Sequence, residues 1–202
     1  MKPTTRGGWL AALGLTLLRL ALAPAALLLL RAGAPGAVFA AILVTGFLSD
    51  VFDGVVARRY EVATAMLRRL DSSVDTVFYL AIAYAAYRLH PDPLRALAWP
   101  IAIVLGGEAL NYATAYAVFR REASYHAWSA KVWGILLFSS LLLLLAGGNA
   151  ILLPVALTAG IVAQADSLAI TLSLPAWQPD VRSVGHALQI RRAWLDRARP
   201  VV

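Results

Sequence analysis

Four aspartates within a window of 26 residues are the side chains whose type and spacing could do chemistry. Asp50 and Asp53 stand three residues apart, and Asp71 and Asp75 stand four apart. Either spacing places both carboxylates of a pair on one face of a helix. Ionised carboxylates beside a membrane are unfavourable unless they are paired, solvated or bound to a cation. Because four oxygen donors without a nearby His or Cys suit hard cations, the stretch predicts a site for Mg²⁺, Mn²⁺ or Ca²⁺.

The residues that follow the first pair favour the binding of a phosphate group. Gly54 comes directly after Asp53, where it costs about 1 kcal/mol relative to alanine in a helix, so its use is close approach to something bulky. Ala57 keeps the same face small one turn later, and Arg58 adds a fixed positive charge. Metal ions together with an arginine are a combination that neutralises a pyrophosphate.

Six apolar segments carry these residues. The chain has 202 residues, of which 60% are hydrophobic and 14% are charged, whereas charged residues make up about 25% of a soluble domain. Segments of this kind predict helices that span, or nearly span, a bilayer core of about 30 Å. The sequence therefore predicts an all-α, polytopic membrane bundle of six helices that forms a single domain over residues 1–202. We place the segments near residues 9–30, 36–56, 74–90, 95–118, 130–147 and 150–174.

Basic residues are distributed unevenly around these segments. Fourteen of the 18 lysines and arginines fall at the N-terminus, in the loops after the second and fourth segments, and in the tail of residues 175–202. By the positive-inside rule, both termini and the aspartates then face the cytoplasm. A net charge of +7 in short clusters between apolar runs suits anionic lipids and phosphates better than nucleic acid. We expect an integral protein of a bacterial cytoplasmic membrane.

The basic tail predicts one further helix. Val184, Leu188 and Leu195 recur at helical spacing among arginines, over about residues 181–199. This pattern is typical of an amphipathic helix that lies on a membrane surface. A frayed basic tail is the alternative.

The acidic stretch resembles the signature of the CDP-alcohol phosphatidyltransferases, which reads D-x-x-D-G-x-x-A-R, eight residues, then G-x-x-x-D-x-x-x-D. The residues from Asp50 to Arg58 match the first part, and Asp71 and Asp75 match the acids of the second part at the family's spacing. In the first segment, Leu15-Thr16-x-x-Arg19-x-x-x-x-Pro24 is similar to the family's first-helix pattern. The likeness extends to the layout of six spans and covers most of the chain.

This resemblance implies a reaction and a set of roles. Members of the family transfer a substituted phosphate from a CDP-linked donor to an alcohol and release CMP. The four aspartates, Asp50, Asp53, Asp71 and Asp75, would hold two divalent cations, Mg²⁺ or Mn²⁺. Asp75 would also take the proton of the attacking hydroxyl, and Gly54, Ala57 and Arg58 would border the CDP moiety. A CDP-linked lipid such as CDP-diacylglycerol, an alcohol acceptor, membrane lipids and a second copy of the chain in a homodimer are the implied partners.

One position departs from the family pattern. Leu67 stands where the family has its second glycine, and no glycine occurs between Gly54 and Gly106. If the missing glycine lets a nucleotide pack against the backbone, Leu67 would crowd the nucleotide. An altered nucleotide pocket, weakened activity and a locally moved helix remain open. Since all four aspartates are present, we expect an active site that is adjusted rather than lost.

Other charged residues have more than one interpretation. Lys131 and Arg121 could bind the phosphate of a phosphorylated acceptor, or belong to an ordinary cluster of cytoplasmic basic residues. Arg19 interrupts the first apolar segment, where it could meet a phosphate or extend to the interface. Glu108 and Asp166 within segments four and six could line an acceptor pocket or pair with Arg19, although an interhelical structural role is favoured.

Two other classes of function share parts of this pattern. A membrane prenyltransferase also uses aspartate-held Mg²⁺, but its acidic motifs would be expected in different halves of a chain with more spans. A transporter of divalent cations would carry its acids near the midplane of the bilayer, commonly with inverted repeats. Here the acids lie at a predicted rim, and no repeat is visible.

Overall fold

The computed structural model describes residues 3–60 and 64–198 and is helical throughout its regular elements. Side-chain details of a few of these residues, Ala57 among them, lie outside the description. The eight helices of the described residues are α1 (Pro3–Arg31), α2 (Gly36–Arg59), α3 (Ala65–Leu89), α4 (Pro91–Ala96), α5 (Ala98–Phe119), α6 (Trp128–Gly147), α7 (Leu153–Ser173) and α8 (Val184–Ala198). The predicted all-α class is confirmed.

Five of the helices in the described part of the chain are long and apolar enough to cross a membrane. These stretches are Arg6–Arg31, Gly36–Val56, Ala98–Phe119, Trp128–Gly147 and Leu153–Ser173. They support an integral membrane protein and agree with five of the six predicted segments. The remaining predicted segment, the third along the chain, corresponds to α3, which has 25 residues and begins nine residues before the predicted start at residue 74. Its first turns are polar because they carry the second pair of aspartates.

Two capping interactions explain where helices begin and end. The side chain of Thr64 accepts a hydrogen bond of 3.1 Å from the Leu67 backbone N–H, which satisfies a free donor at the start of α3. Gly148 ends α6 with a φ of 69°, a left-handed conformation that glycine adopts without steric cost. Its N–H donates to the carbonyl of Leu144 at 2.8 Å.

The helices group into two compact units. The first contains α1, α2, α3 and the part of α6 from Leu141 onward. In this unit α1 packs against both α2 and α3, which contact each other much less. The prediction of a single domain over the whole chain stays a prediction.

A stripe of small side chains lets α1 pack closely in this way. The fully buried positions of α1 follow each other at steps of four and three residues, so they lie on one face. Apart from one arginine they are small or short, which allows helix backbones to approach each other in a membrane. They are Ala12, Thr16, Arg19, Ala23 and Ala26.

The second unit contains α5, α7, α8 and the first part of α6. α7 packs against α5 and, at its C-terminal end, also against α8. Val181 and Ala187 are buried with Ile170 and Leu174 in one apolar cluster, which fixes the start of α8 to the end of α7. The predicted amphipathic helix is therefore present, with Leu188 and Leu195 exposed among the arginines as a surface-lying helix requires.

Replacement of Gly46 tests the close approach of α2 to α3. A Cβ atom at Gly46 would lie 2.2 Å from the ring of Phe78, a side chain that is fully buried. We expect Gly46→Ala to lower the free energy of unfolding by about 1–3 kcal/mol, as overpacking does. Thermal unfolding of the protein in detergent measures the change.

Gly14→Ala in α1 is the matched control, because a Cβ there meets nothing within 4 Å. It should leave the melting temperature unchanged or raise it, since alanine favours a helix by about 1 kcal/mol over glycine. An equal rise in both variants would contradict the packing of α2 on α3.

Candidate active site

Arg19 of α1 joins all four aspartates at one point. Its Nη1 atom donates to Asp50 Oδ1 at 3.2 Å and to Asp75 Oδ1. Its Nη2 atom donates to Asp71 Oδ1 at 2.5 Å and to Asp53 Oδ2. The Arg19 side chain has no exposed surface. The pairs that the sequence places on α2 and α3 are thus brought together, and the helix between them supplies a positive charge.

Thr16 links the same cluster to α1 one turn before Arg19. Its hydroxyl lies 3.2 Å from the carbonyl of Ala12 and 3.5 Å from Asp71 Oδ1. Thr16 and Arg19 share the buried stripe of α1, so both point toward the aspartates. The first-helix pattern and the acidic stretch, which are far apart in sequence, form a single site.

Three of the aspartates could hold a metal ion among them. One carboxylate oxygen from each of Asp50, Asp53 and Asp71 lies within 4.8 Å of the others. Asp75 is not part of this triple, but it shares Arg19 Nη1 with Asp50. The donor atoms are all carboxylate oxygens, and this donor set fits Mg²⁺, Mn²⁺ or Ca²⁺.

The cluster is closed at one aspartate and open at another. The exposed fraction of the side chain is 8% for Asp53 and 37% for Asp50, with Asp71 and Asp75 between them. A substrate or hydrated ion would therefore reach the cluster from the side of Asp50, while Asp53 stays enclosed by protein.

Arg58 lies against Gly54 on α2, one turn beyond the first pair of aspartates. A Cβ atom at Gly54 would lie 3.3 Å from Nη1 of Arg58. The Arg58 side chain is exposed, so its guanidinium is free to meet an anion from solvent. A side chain at position 54 would require only a small shift of this exposed guanidinium. The side chain of Ala57 lies outside the described part.

Leu67, which occupies the position of the family's second glycine, is buried in the first turn of α3. Its backbone N–H is already bound by the Thr64 hydroxyl at 3.1 Å. A glycine is not required there by the backbone, because α3 continues as a regular helix through this residue.

The two basic residues predicted to bind an acceptor phosphate lie in the second unit. The Arg121 guanidinium stacks over the ring of Trp177 at 5.3 Å, and Lys131 Nζ lies 4.6 Å from the centre of the Trp128 ring. Each cation is oriented by an aromatic face. Their role toward an acceptor stays a prediction.

Glu108 and Asp166 make contacts between helices of the second unit. Gln164 Nε2 donates to Glu108 Oε2 at 2.6 Å, and Ser129 Oγ donates to Asp166 Oδ2 at 2.5 Å. Asn111 Nδ2 donates to Gln164 Oε1 at 2.8 Å and extends the first network. The interhelical role favoured from the sequence agrees with these contacts.

Arg19 is the site residue whose place the sequence did not reveal. A buried arginine within an apolar helix needs an acidic partner, and the structure provides the four aspartates rather than Glu108 or Asp166. The signal was present in the sequence, because Arg19 belongs to the same first-helix pattern as Thr16. Its meaning depends on the contact of α1 with both α2 and α3.

Comparison with known proteins gives one match. The family model for CDP-alcohol phosphatidyltransferase matches residues 9–171, which include the arginine and the four aspartates. Searches of curated proteins and of solved structures gave no match.

Loss of one carboxylate tests whether the aspartates hold a cation. We expect Asp53→Asn to weaken Mn²⁺ binding at least about tenfold, because a buried anionic ligand is replaced by a neutral one. Electron paramagnetic resonance of free Mn²⁺ in titrations of the detergent-solubilised protein measures the affinity. Asp92→Asn is the control, since Asp92 is exposed in α4 and should bind Mn²⁺ like the unmodified protein. Equal affinities of the two variants would exclude Asp53 as a ligand.

Proposed function

The chain belongs to the CDP-alcohol phosphatidyltransferase family, and we propose that it transfers a phosphatidyl group from CDP-diacylglycerol to an alcohol and releases CMP. Phosphatidyl transfer in phospholipid synthesis is the activity of this family. The observation that carries the proposal is the convergence of four aspartates from two helices on one buried point. An oxygen-only cluster beside an exposed arginine suits a diphosphate substrate bound with divalent cations.

The aspartates are the proposed ligands of two divalent cations, Mg²⁺ or Mn²⁺. Asp50, Asp53 and Asp71 supply oxygens close enough to share one ion. Asp75 extends the cluster, because it contacts Nη1 of Arg19 whereas Asp53 contacts Nη2. When bound, such ions would offset the charge of the donor's diphosphate and of the departing CMP.

Asp75 is the proposed general base. It accepts the proton of the acceptor hydroxyl as the hydroxyl oxygen forms a bond to the phosphorus that carries diacylglycerol. The bond between that phosphorus and the oxygen of CMP breaks, and CMP departs with the electron pair. Asp75 suits this role because it lies outside the closest triple of carboxylates and is partly exposed, so a hydroxyl can come within hydrogen-bond distance.

Arg58, Gly54 and Ala57 are proposed to border the CDP moiety. The exposed guanidinium of Arg58 would pair with a phosphate oxygen, and Gly54 leaves the room that this side chain uses. Lys131 and Arg121 are proposed for the phosphate of a phosphorylated acceptor. Glycerol 3-phosphate, inositol phosphate, a phosphatidyl lipid and an amino alcohol are the acceptors to compare.

The proposed orientation follows from the distribution of basic residues. With both termini in the cytoplasm, the aspartates would face the compartment in which CDP-linked substrates and CMP are dissolved. The apolar helices would hold the diacylglycerol part of the donor in the bilayer. A bacterial cytoplasmic membrane and a homodimer stay predictions.

Release of CMP tests the proposed reaction directly. We expect the purified protein to release CMP from CDP-diacylglycerol with one acceptor of the panel, and only when Mg²⁺ or Mn²⁺ is present. Asp75→Asn should lower kcat by about 10²–10⁴-fold, the usual contribution of a general base, while Mn²⁺ still binds. Asp92→Asn serves again as the control. No CMP with any acceptor, or a kcat in Asp75→Asn equal to that of the unmodified protein, would contradict the proposal.

Replacement of Leu67 tests the departure from the family pattern. We expect the unmodified protein to bind CDP-diacylglycerol measurably, so the leucine adjusts the site without closing it. Leu67→Gly should lower the free energy of unfolding by about 2–5 kcal/mol, because a buried leucine is removed. Donor binding by fluorescence titration and thermal unfolding measure the two effects separately. Donor binding that appears only in Leu67→Gly would show that Leu67 blocks the nucleotide.

A further inference from the structure

We propose that Arg19 and a divalent cation are alternative occupants of the aspartate cluster. The guanidinium holds the four carboxylates together, and a cation would bind there only as this guanidinium withdraws. The inference rests on the proposed function of the aspartates as metal ligands. It assigns to Arg19 a positioning role that neither the family match nor the sequence pattern specifies.

The two terminal nitrogens of Arg19 contact oxygens of all four aspartates. The metal-competent triple, with oxygens within 4.8 Å of one another, consists of three of the same carboxylates. A cation bound by this triple would lie about 2.0–2.6 Å from its ligand oxygens. The guanidinium and such a cation would therefore compete for the same three carboxylates.

A single guanidinium faces four carboxylates, and it cannot balance them when they are ionised. Two divalent cations would balance four carboxylates. With all four carboxylates ionised, the cluster has an excess of negative charge that favours exchange of the arginine for divalent ions.

The Arg19 guanidinium does not make all of its possible hydrogen bonds. Its Nε atom is buried and has no hydrogen-bond partner among the described residues. An unpaired buried donor is unfavourable, so this position offers less than the full set of contacts that a guanidinium can make.

Mn²⁺ affinity in arginine variants tests the exclusion. We expect Arg19→Gln to bind Mn²⁺ at least about tenfold more tightly than the unmodified protein, because the competing cation is gone. Arg31→Gln is the matched control, since Arg31 is an exposed arginine at the end of the same helix. The control should bind Mn²⁺ with unchanged affinity. Titrations use the full chain in detergent with the metal alone.

Arg19→Lys separates exclusion from a general effect of charge. Lysine keeps the positive charge but offers one nitrogen instead of two terminal nitrogens, so it should occupy the cluster less completely. Exclusion predicts that Arg19→Lys also binds Mn²⁺ several-fold more tightly than the unmodified protein. Unchanged affinity in Arg19→Lys, with tighter binding in Arg19→Gln, would show an effect of charge alone and overturn the proposal.

Thermal unfolding provides a second readout. Without metal, Arg19→Gln should melt at a lower temperature than the unmodified protein, because four carboxylates lose their partner. Mn²⁺ should raise the melting temperature of Arg19→Gln by more than it raises that of the unmodified protein. A smaller rise in the variant would count against exclusion. Tight Mn²⁺ binding to the unmodified protein with no gain in either variant would overturn this proposal alone. No Mn²⁺ binding to any of the four proteins would overturn the metal site itself.

Discussion

The contact between one buried arginine and four aspartates is the interaction on which the first unit of this protein depends. Arg19 lies within an apolar helix, where an unpaired charge would be strongly unfavourable. The aspartates of α2 and α3 would repel one another if they met without a cation. The contact satisfies both sets of charges and ties α1 to α2 and α3.

The packing of α1 follows from this electrostatic requirement. Alanines above and below Arg19 keep the buried face of the helix narrow, and α2 and α3 approach it from two sides. Helix association in a membrane gains little from the hydrophobic effect, because lipid tails are apolar too. Close packing of small residues and a few polar contacts then decide which helices meet. The second unit uses the same means, with Glu108, Gln164 and Asn111 joining α5 to α7.

The arrangement also places the proposed active site near the predicted surface of the membrane. The aspartates come from the second half of α2 and the first half of α3, near the predicted border between bilayer and cytoplasm. The proposed donor, with a water-soluble nucleotide and acyl chains held in the bilayer, would be bound at this border. Arg58 remains exposed beside Gly54, outside the enclosed part of the cluster. Fixed charges are thus present both in the enclosed cluster and on the exposed surface beside it.

The spacing of residues in the sequence was enough to predict most of the long helices and the chemistry of the candidate site. The apolar segments predicted the long helices, because the length of a membrane span sets a minimum run of hydrophobic residues. The pairing of acids at helical intervals predicted which carboxylates share a face, and their oxygen-only chemistry predicted the class of ion. The extent of α3 was underestimated, since its polar first turns carry no hydrophobic signal and are set by the Thr64 cap.

Only the tertiary structure decided the partner of Arg19. A spacing rule relates residues within one helix, whereas the contacts of Arg19 join residues 31 to 56 positions apart along the chain. From the sequence alone, Arg19 could bind a phosphate, extend to the membrane interface or pair with Glu108 or Asp166. The packing of small residues on α1 instead places the guanidinium between α2 and α3. That choice depends on distances between helices, which no periodicity within a helix encodes.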